Sequence, residues 1–156
     1  MFDRIDAAIH SAVSRLGFSE LRPKQLLCVR RFVEGHDVFV SLPTGSGKSL
    51  CYWVLPWTFD TLKRRHRSTV LVISPLDALM KDQQRSLQSL GVKAVQGTSD
   101  DDKIVEDIKQ GYYEIVFISP ERLLTSEDWR DMLQSPIYKE QLVGVIVDEA
   151  HCVKKW

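Results

Sequence analysis

Five short runs rich in Val and Ile recur along the chain: 37-DVFVSLP-43, 69-TVLVISP-75, 92-VKAVQ-96, 113-YEIVFISP-120 and 142-LVGVIVDE-149. Each is apolar on both of its faces rather than alternating, so each has to be covered from two sides. A helix-length segment with charged faces follows each of the first four. Strands of that kind alternating with helices predict an α/β fold in which a mostly parallel sheet is sandwiched between helices. In such sheets ligands gather at the carboxyl ends of the strands. Here those ends read LPTGSGKS, SPLDALMKDQ, QGTSDD, SPERL and DEAHC, so the loops coincide with the residues that carry chemistry. Ahead of the first run, Phe2, Ile5, Ile9, Val13 and Leu16 recur at three- and four-residue steps, which predicts an amphipathic helix stopped by Gly17. A second helix is expected from Pro23 to Gly35, with proline in its first turn and glycine at its end.

The chain of 156 residues is long enough to bury about 70% of its unfolded surface without a disulfide or a metal. Its 21 basic side chains balance its 21 acidic ones, so net charge names no partner. Residues 1–67 carry 11 Lys and Arg against 6 Asp and Glu, a modest bias read as a solvated surface, and the run 63-KRRHR-67 reads as a solvated connection. Cys28, Cys51 and Cys152 form no C-x-x-C pair, which points to a reducing compartment, cytoplasm or nucleus. The apolar runs are strand-sized and the N-terminus carries acids, so no membrane segment is expected.

In 40-VSLPTGSGKSLCYW-53 a β-branched run breaks into glycines and a lysine before an apolar helical pattern. Gly45 and Gly47 let backbone N–H groups converge on phosphate oxygens, and the helix N-terminus behind them favours negative charge. Thr44 and Ser46 complete the turn, Lys48 reaches the β- and γ-phosphates, and the Ser49 hydroxyl is a Mg²⁺ ligand. Leu42 occupies the first position of the strict G-x-x-x-x-G-K-[ST] pattern, while the core TGSGKS is intact. A phosphate cradle alone would serve a kinase, a GTPase or a binding protein. The discriminating feature lies about a hundred residues on, where 143-VGVIVDEAHC-152 delivers Asp148 and Glu149 to the end of an apolar strand. One carboxylate then holds Mg²⁺ and the other polarises an attacking water.

These segments resemble the RecQ-type DNA helicases of helicase superfamily 2, in five motifs that span residues 17–156 in order. TGSGKS and DEAH are shared with many P-loop helicases. More discriminating are 17-GFSELRPKQ-25, similar to that family's adenine-recognition motif, 74-SPLDALMKDQ-83, and DEAH followed at once by Cys152 with Trp156 four residues beyond. The resemblance implies a P-loop NTPase, RecA-like, three-layer sandwich preceded by an N-terminal helical segment: residues 1–35 as helices with the adenine motif, residues 36–156 as the first ATP-binding lobe. It implies that Phe18 stacks on adenine, that Arg22 lies near the nucleotide and that the Gln25 amide reads the adenine edge. Leu21 stands where the family has phenylalanine.

By the same resemblance Ser74, Pro75, Leu76, Thr98, Ser119 and Arg122 grip single-stranded DNA across the top of the sheet, although each hydroxyl is equally suited to cap a helix. Trp156 matches the first aromatic of a loop that senses single-stranded DNA, while Lys154 and Lys155 depart from that loop's usual residues. The implied cofactors are ATP and Mg²⁺, and the implied partner is DNA, single-stranded or duplex with a single-stranded tail. The second lobe such an engine needs is not among these residues, so the chain reads as the front of a longer protein that unwinds DNA in the 3′ to 5′ direction. A shortened regulatory module that binds nucleotide or DNA without unwinding is the alternative, and a DEAH-type RNA helicase is a further one.

Overall fold

The structure is a computed structural model that describes residues 3–39, 47–65, 67–97 and 101–148. The chain divides into two compact units, Met1–Ser68 and Thr69–Trp156. No helix among the described residues is long and apolar enough to cross a membrane.

The first unit is helical. Helix α1, Arg4–Arg15, starts where the Asp3 carboxylate caps the Asp6 N–H at 2.9 Å. It buries Ala8, Ile9, Ala12 and Val13, the face anticipated from the spacing, and Leu16 closes the stripe. Gly17 adopts a φ of 91° and, with Phe18, returns N–H groups to Ser14 and Val13, so the helix ends in a Schellman turn. Helix α2 runs Pro23–Val33, with proline in its first turn as expected. Helices α3, Lys48–Trp53, and α4, Leu55–Lys63, follow each other with only Val54 between them and Pro56 in the first turn of α4. Trp57 is buried beneath the Arg15 guanidinium, 3.8 Å above its ring, and Phe32 meets Phe59 edge to face. Of the strand expected at 37–43, residues 37–39 are irregular and the rest lies outside the described residues.

The second unit is the sheet. In chain order it comprises β1 Thr69–Ile73, α5 Asp77–Ser89, β2 Ala94–Gln96, α6 Asp102–Lys109, β3 Ile115–Ile118, α7 Pro120–Thr125, α8 Glu127–Leu133, α9 Pro136–Gln141 and β4 Leu142–Val147. The strands lie in the order β2-β3-β1-β4, with every pairing parallel. Leu71, Val95, Val116 and Ile118 pack on one face with Ile108, Trp129, Met132 and Tyr138 from α6, α8 and α9. Val70, Val72, Ile115 and Phe117 point to the other face by alternation and are buried as well. Burial on both faces is the condition the doubly apolar runs require. The edge strand β4 is less covered, with Val145 and Val147 about half exposed. Inside the core the Tyr138 hydroxyl donates to the Ile108 carbonyl at 2.6 Å, and burial pushes that phenol's pKa up.

Candidate nucleotide and nucleic-acid site

In the first unit one candidate adenine-motif residue, Gln25, reaches the turn into α3. Gln25, almost fully buried, accepts from the Arg22 N–H at 2.8 Å and donates its Nε2 to the Gly47 carbonyl at 2.9 Å. The first contact reproduces half of a capping box, and the second joins α2 to the residue before Lys48. Gly47 has a φ of 78°, and a Cβ there would collide with the Gln25 amide. Glycine is therefore required twice over, by conformation and by space. Lys48 and Ser49 occupy the first two positions of α3 and are half-buried, while Arg22 and Phe18 are exposed, Phe18 by 41%. The thiols of Cys28 on α2 and Cys51 on α3 are hydrogen-bonded to each other, which pulls the Cys28 pKa down and, with burial, pushes that of Cys51 up. Two cysteines that look scattered in the sequence are thus neighbours. Thr44, Gly45 and Ser46 lie outside the described residues.

In the second unit the backbone does the positioning. Ile73 pairs with Ile118 on one side and with Val147 on the other, so β1, β3 and β4 end at one level. The ladder continues one residue past them: the Ser74 N–H donates to Ile118 at 3.0 Å, Asp148 to Ile73 at 2.9 Å and Gly97 to Phe117 at 2.6 Å. Gly97, Ser119, Ser74 and Asp148 therefore form one row along the carboxyl edge. Ser74 is itself buried, with its hydroxyl accepting from the Leu76 N–H at 3.4 Å, so it shapes the loop. The Ser119 hydroxyl accepts from Arg122 N–H at 3.3 Å and caps α7. Pro75, Leu76, Asp77 and Ala78 face Ser119, Glu121, Arg122 and Thr125 across a groove of about 670 Å³. Four of the expected DNA-binding residues, Pro75, Leu76, Ser119 and Arg122, line that one groove. Thr98, Glu149 and Trp156 lie outside the described residues.

The sequence reading did not single out Trp129 or Gly97. The Trp129 ring lies on Gly97 so closely that any Cβ there would strike it. A glycine immediately after a strand was the available signal, since it marks a close approach to the backbone. The partner 32 residues away had no signal of its own.

An all-parallel α/β sheet with its functional loops in one row defines the class of nucleotide-binding folds whose ligands lie beyond the strand ends. Within that class, the DEAD/DEAH box helicase profile matches residues 22–156, and the chain belongs to that family. It is 36% identical to the ATP-dependent helicase SGS1 of Saccharomyces cerevisiae over 99% of this chain and 11% of that protein. It is 34% identical to the ATP-dependent DNA helicase RecQ of Bacillus subtilis over 95% of this chain and 25% of that protein. The chain thus spans between about a tenth and a quarter of the length of these relatives. The DUF1998 helicase MrfA, solved with DNA and AMPPNP, superposes with a TM-score of 0.73 at 24% identity, over 97% of this chain and 22% of that one, and shares the fold.

Proposed function

We propose that the chain is the ATP-binding lobe of a RecQ-type DNA helicase. In the whole protein, ATP hydrolysis then drives 3′ to 5′ movement along single-stranded DNA and opens duplexes that carry a single-stranded tail, in repair and recombination. The observation that supports this reading most directly is the row at the carboxyl edge, where Asp148 leaves β4 hydrogen-bonded beside Ser74, and Ser119 follows the paired strand.

In this reading the turn from Thr44 to Gly47 cradles the phosphates, Lys48 neutralises them, and Phe18, Arg22 and Gln25 hold the adenine. Because Gln25 also fixes the Gly47 carbonyl, it couples base recognition to the phosphate turn. Ser49 and Asp148 supply an oxygen-only donor set, which suits Mg²⁺, and Glu149 orients the attacking water. When bound, Mg²⁺ would supply positive charge to offset the negative charge that develops on the phosphates. The groove of Pro75, Leu76, Ser119 and Arg122 holds the DNA backbone, extended by Ser74, Thr98 and Trp156. Asp77 and Glu121 also line it, so Arg122 carries most of its attraction for phosphate. The cysteines form no C-x-x-C pair, which supports a reducing compartment, cytoplasm or nucleus.

The test is calorimetric titration of MgATP into the chain and into Lys48→Ala. The substitution removes a charge at the first position of α3 and leaves a good helix former there, so melting should be little changed while affinity falls more than tenfold. Equal affinity in the two proteins would overturn the assignment.

A further inference from the structure

Cys28 and Cys51 have no part in the nucleotide or DNA reading, yet the fold brings them together. Cys28 lies one turn beyond Gln25 on α2, and Cys51 lies one turn beyond Gly47 on α3. The contact between the two thiols and the bond from Gln25 to the Gly47 carbonyl are therefore successive rungs between the same pair of helices. The two sulfurs differ in access: Cys28 is partly exposed, whereas Cys51 is only 7% exposed. The hydrogen bond with Cys51 also favours the thiolate of Cys28. A reachable thiol inclined to ionise, with a second thiol held against it, is the arrangement that reacts with peroxide and then closes a disulfide.

We propose that Cys28 and Cys51 form a reversible oxidation site that takes a peroxide and, once bridged, weakens nucleotide binding at the turn before Lys48. The regulatory half rests on the reading of that turn as the phosphate cradle. The Cys28 thiolate attacks one oxygen of hydrogen peroxide and the O–O bond breaks. Cys28 becomes a sulfenic acid, and the departing hydroxide takes up the proton the thiol gave up and leaves as water. The Cys51 thiol then attacks the sulfenic sulfur, the S–O bond breaks, and a second water leaves. Two thiols and one peroxide thus become one disulfide and two waters, the sulfurs losing the two electrons that the peroxide gains. A disulfide bond of about 2 Å is far shorter than a contact between unbonded sulfurs, so bridging draws α3 toward α2. The neighbouring rung has no slack to absorb that shift, because the Gln25 amide already fills the space beside Gly47. The movement falls on Gly47, Lys48 and Ser49, the end of α3 assigned to the nucleotide. A thiol reductant reverses the bridge, as suits a transient disulfide in a reducing compartment.

The experiment treats the 156-residue chain with hydrogen peroxide, maps its cysteine linkages by mass spectrometry, and titrates MgATP before oxidation, after it and after dithiothreitol. The peptides holding Cys28 and Cys51 should be joined, and MgATP affinity should fall about tenfold, within the usual range of coupling between two sites, and return on reduction. In Cys28→Ser, peroxide should leave the affinity of that variant where it stood, which separates the pair from oxidation of methionine or of Cys152. Cys28 is partly exposed, so this variant serves even should Cys51→Ser fail to fold. Cys28 and Cys51 left unlinked, or linked only to Cys152, overturns the oxidation site. A Cys28–Cys51 link with MgATP affinity unmoved overturns the regulation and leaves the nucleotide reading intact. No MgATP binding by the reduced chain overturns the nucleotide reading and the regulation with it, while the linkage map still decides the oxidation site.

Discussion

The two units hold their candidate residues by different means. In Met1–Ser68 the turn before Lys48 is tied to α2 by one side chain, Gln25, acting on the Arg22 N–H and the Gly47 carbonyl. In Thr69–Trp156 the positions of Ser74, Gly97 and Asp148 are set by main-chain ladder bonds to neighbouring strands. A side-chain tie is open to single substitutions and adjusts with what binds beside it. A ladder gives way only when the sheet does, because each of its bonds is shared between strands packed on both faces. The first arrangement suits a part of a site that responds to nucleotide, the second a platform that keeps its geometry throughout.

The largest effect should follow from breaking the platform. Phe117, at the centre of β3 between β1 and β2, is 1% exposed, and Phe117→Ala leaves a cavity that parallel strands are slow to close. Urea unfolding should show a loss of about 3 to 5 kcal/mol. Because the carboxyl row hangs on these strands, DNA affinity should fall with stability. Loss of stability with oligonucleotide binding unaltered would show that the row does not depend on the sheet.

Next in size is Tyr138→Phe, which removes one hydroxyl and keeps the ring. The Ile108 carbonyl then loses a buried donor, for a cost of about 1 to 3 kcal/mol. The phenol lies in the core with Ile108, Trp129 and Met132 and is not among the residues lining the groove, so oligonucleotide binding should be unchanged while the denaturation midpoint drops. A midpoint within error of the parent would mean that water replaces the lost donor.

How far the sequence discloses this arrangement depends on whether the determinant is local. The runs at 69–75, 113–120 and 142–149 announce buried parallel strands because each is apolar on both faces, and β1, β3 and β4 fall within them. The α1 stripe was equally legible, with Ile9, Val13 and Leu16 buried as their spacing requires. The segment between β3 and β4 reads in the sequence as one helix-length stretch and is three short helices. Their capping serines, 119, 126 and 135, were visible in the sequence, but each restart of the chain depends on packing against Ile108, Trp129 and Tyr138. The contacts of Gln25 with Gly47, of Cys28 with Cys51 and of Trp129 with Gly97 join residues 22, 23 and 32 apart. No local pattern encodes such pairs, which arise only once helices and strands are docked.

A smaller and more selective effect is expected at the side-chain tie itself. Gln25→Glu retains an oxygen to accept from Arg22 and loses the donor to Gly47, so only the link to the phosphate turn is cut. Gly47 is exposed, so water can replace the donor its carbonyl loses, which keeps the stability change near 1 kcal/mol. MgATP affinity should nevertheless fall several-fold. Hydrogen exchange should quicken at the amides of 47–50 and stay unchanged in β1 and β3. Equal quickening in both units would erase the distinction between tie and ladder.

The smallest effect is a dependence on pH confined to the first unit. Arg30 on α2 reaches Asp3 at 2.6 Å and Asp6 at 2.7 Å, joining the start of α1 to α2. Its guanidinium, helped by the Asp6 N–H, holds the Asp3 carboxyl well below its usual 3.8. A carboxylate depressed in the folded state stabilises it wherever the unfolded chain is already ionised, and that contribution fades as pH falls below about 4. In the second unit Lys103 and Asp107, 3.0 Å apart, sit one turn apart on α6 and join no two elements. Acid should therefore loosen α1 from α2 before it touches the sheet. In Arg30→Met the denaturation midpoint should be lower than the parent's at pH 7, and the gap should begin to narrow below about pH 4 and go on narrowing toward pH 2. A gap that is constant across that range would assign the Arg30 contribution to packing of its aliphatic stem, leaving no electrostatic tie through Arg30 to set against the ladder in the second unit.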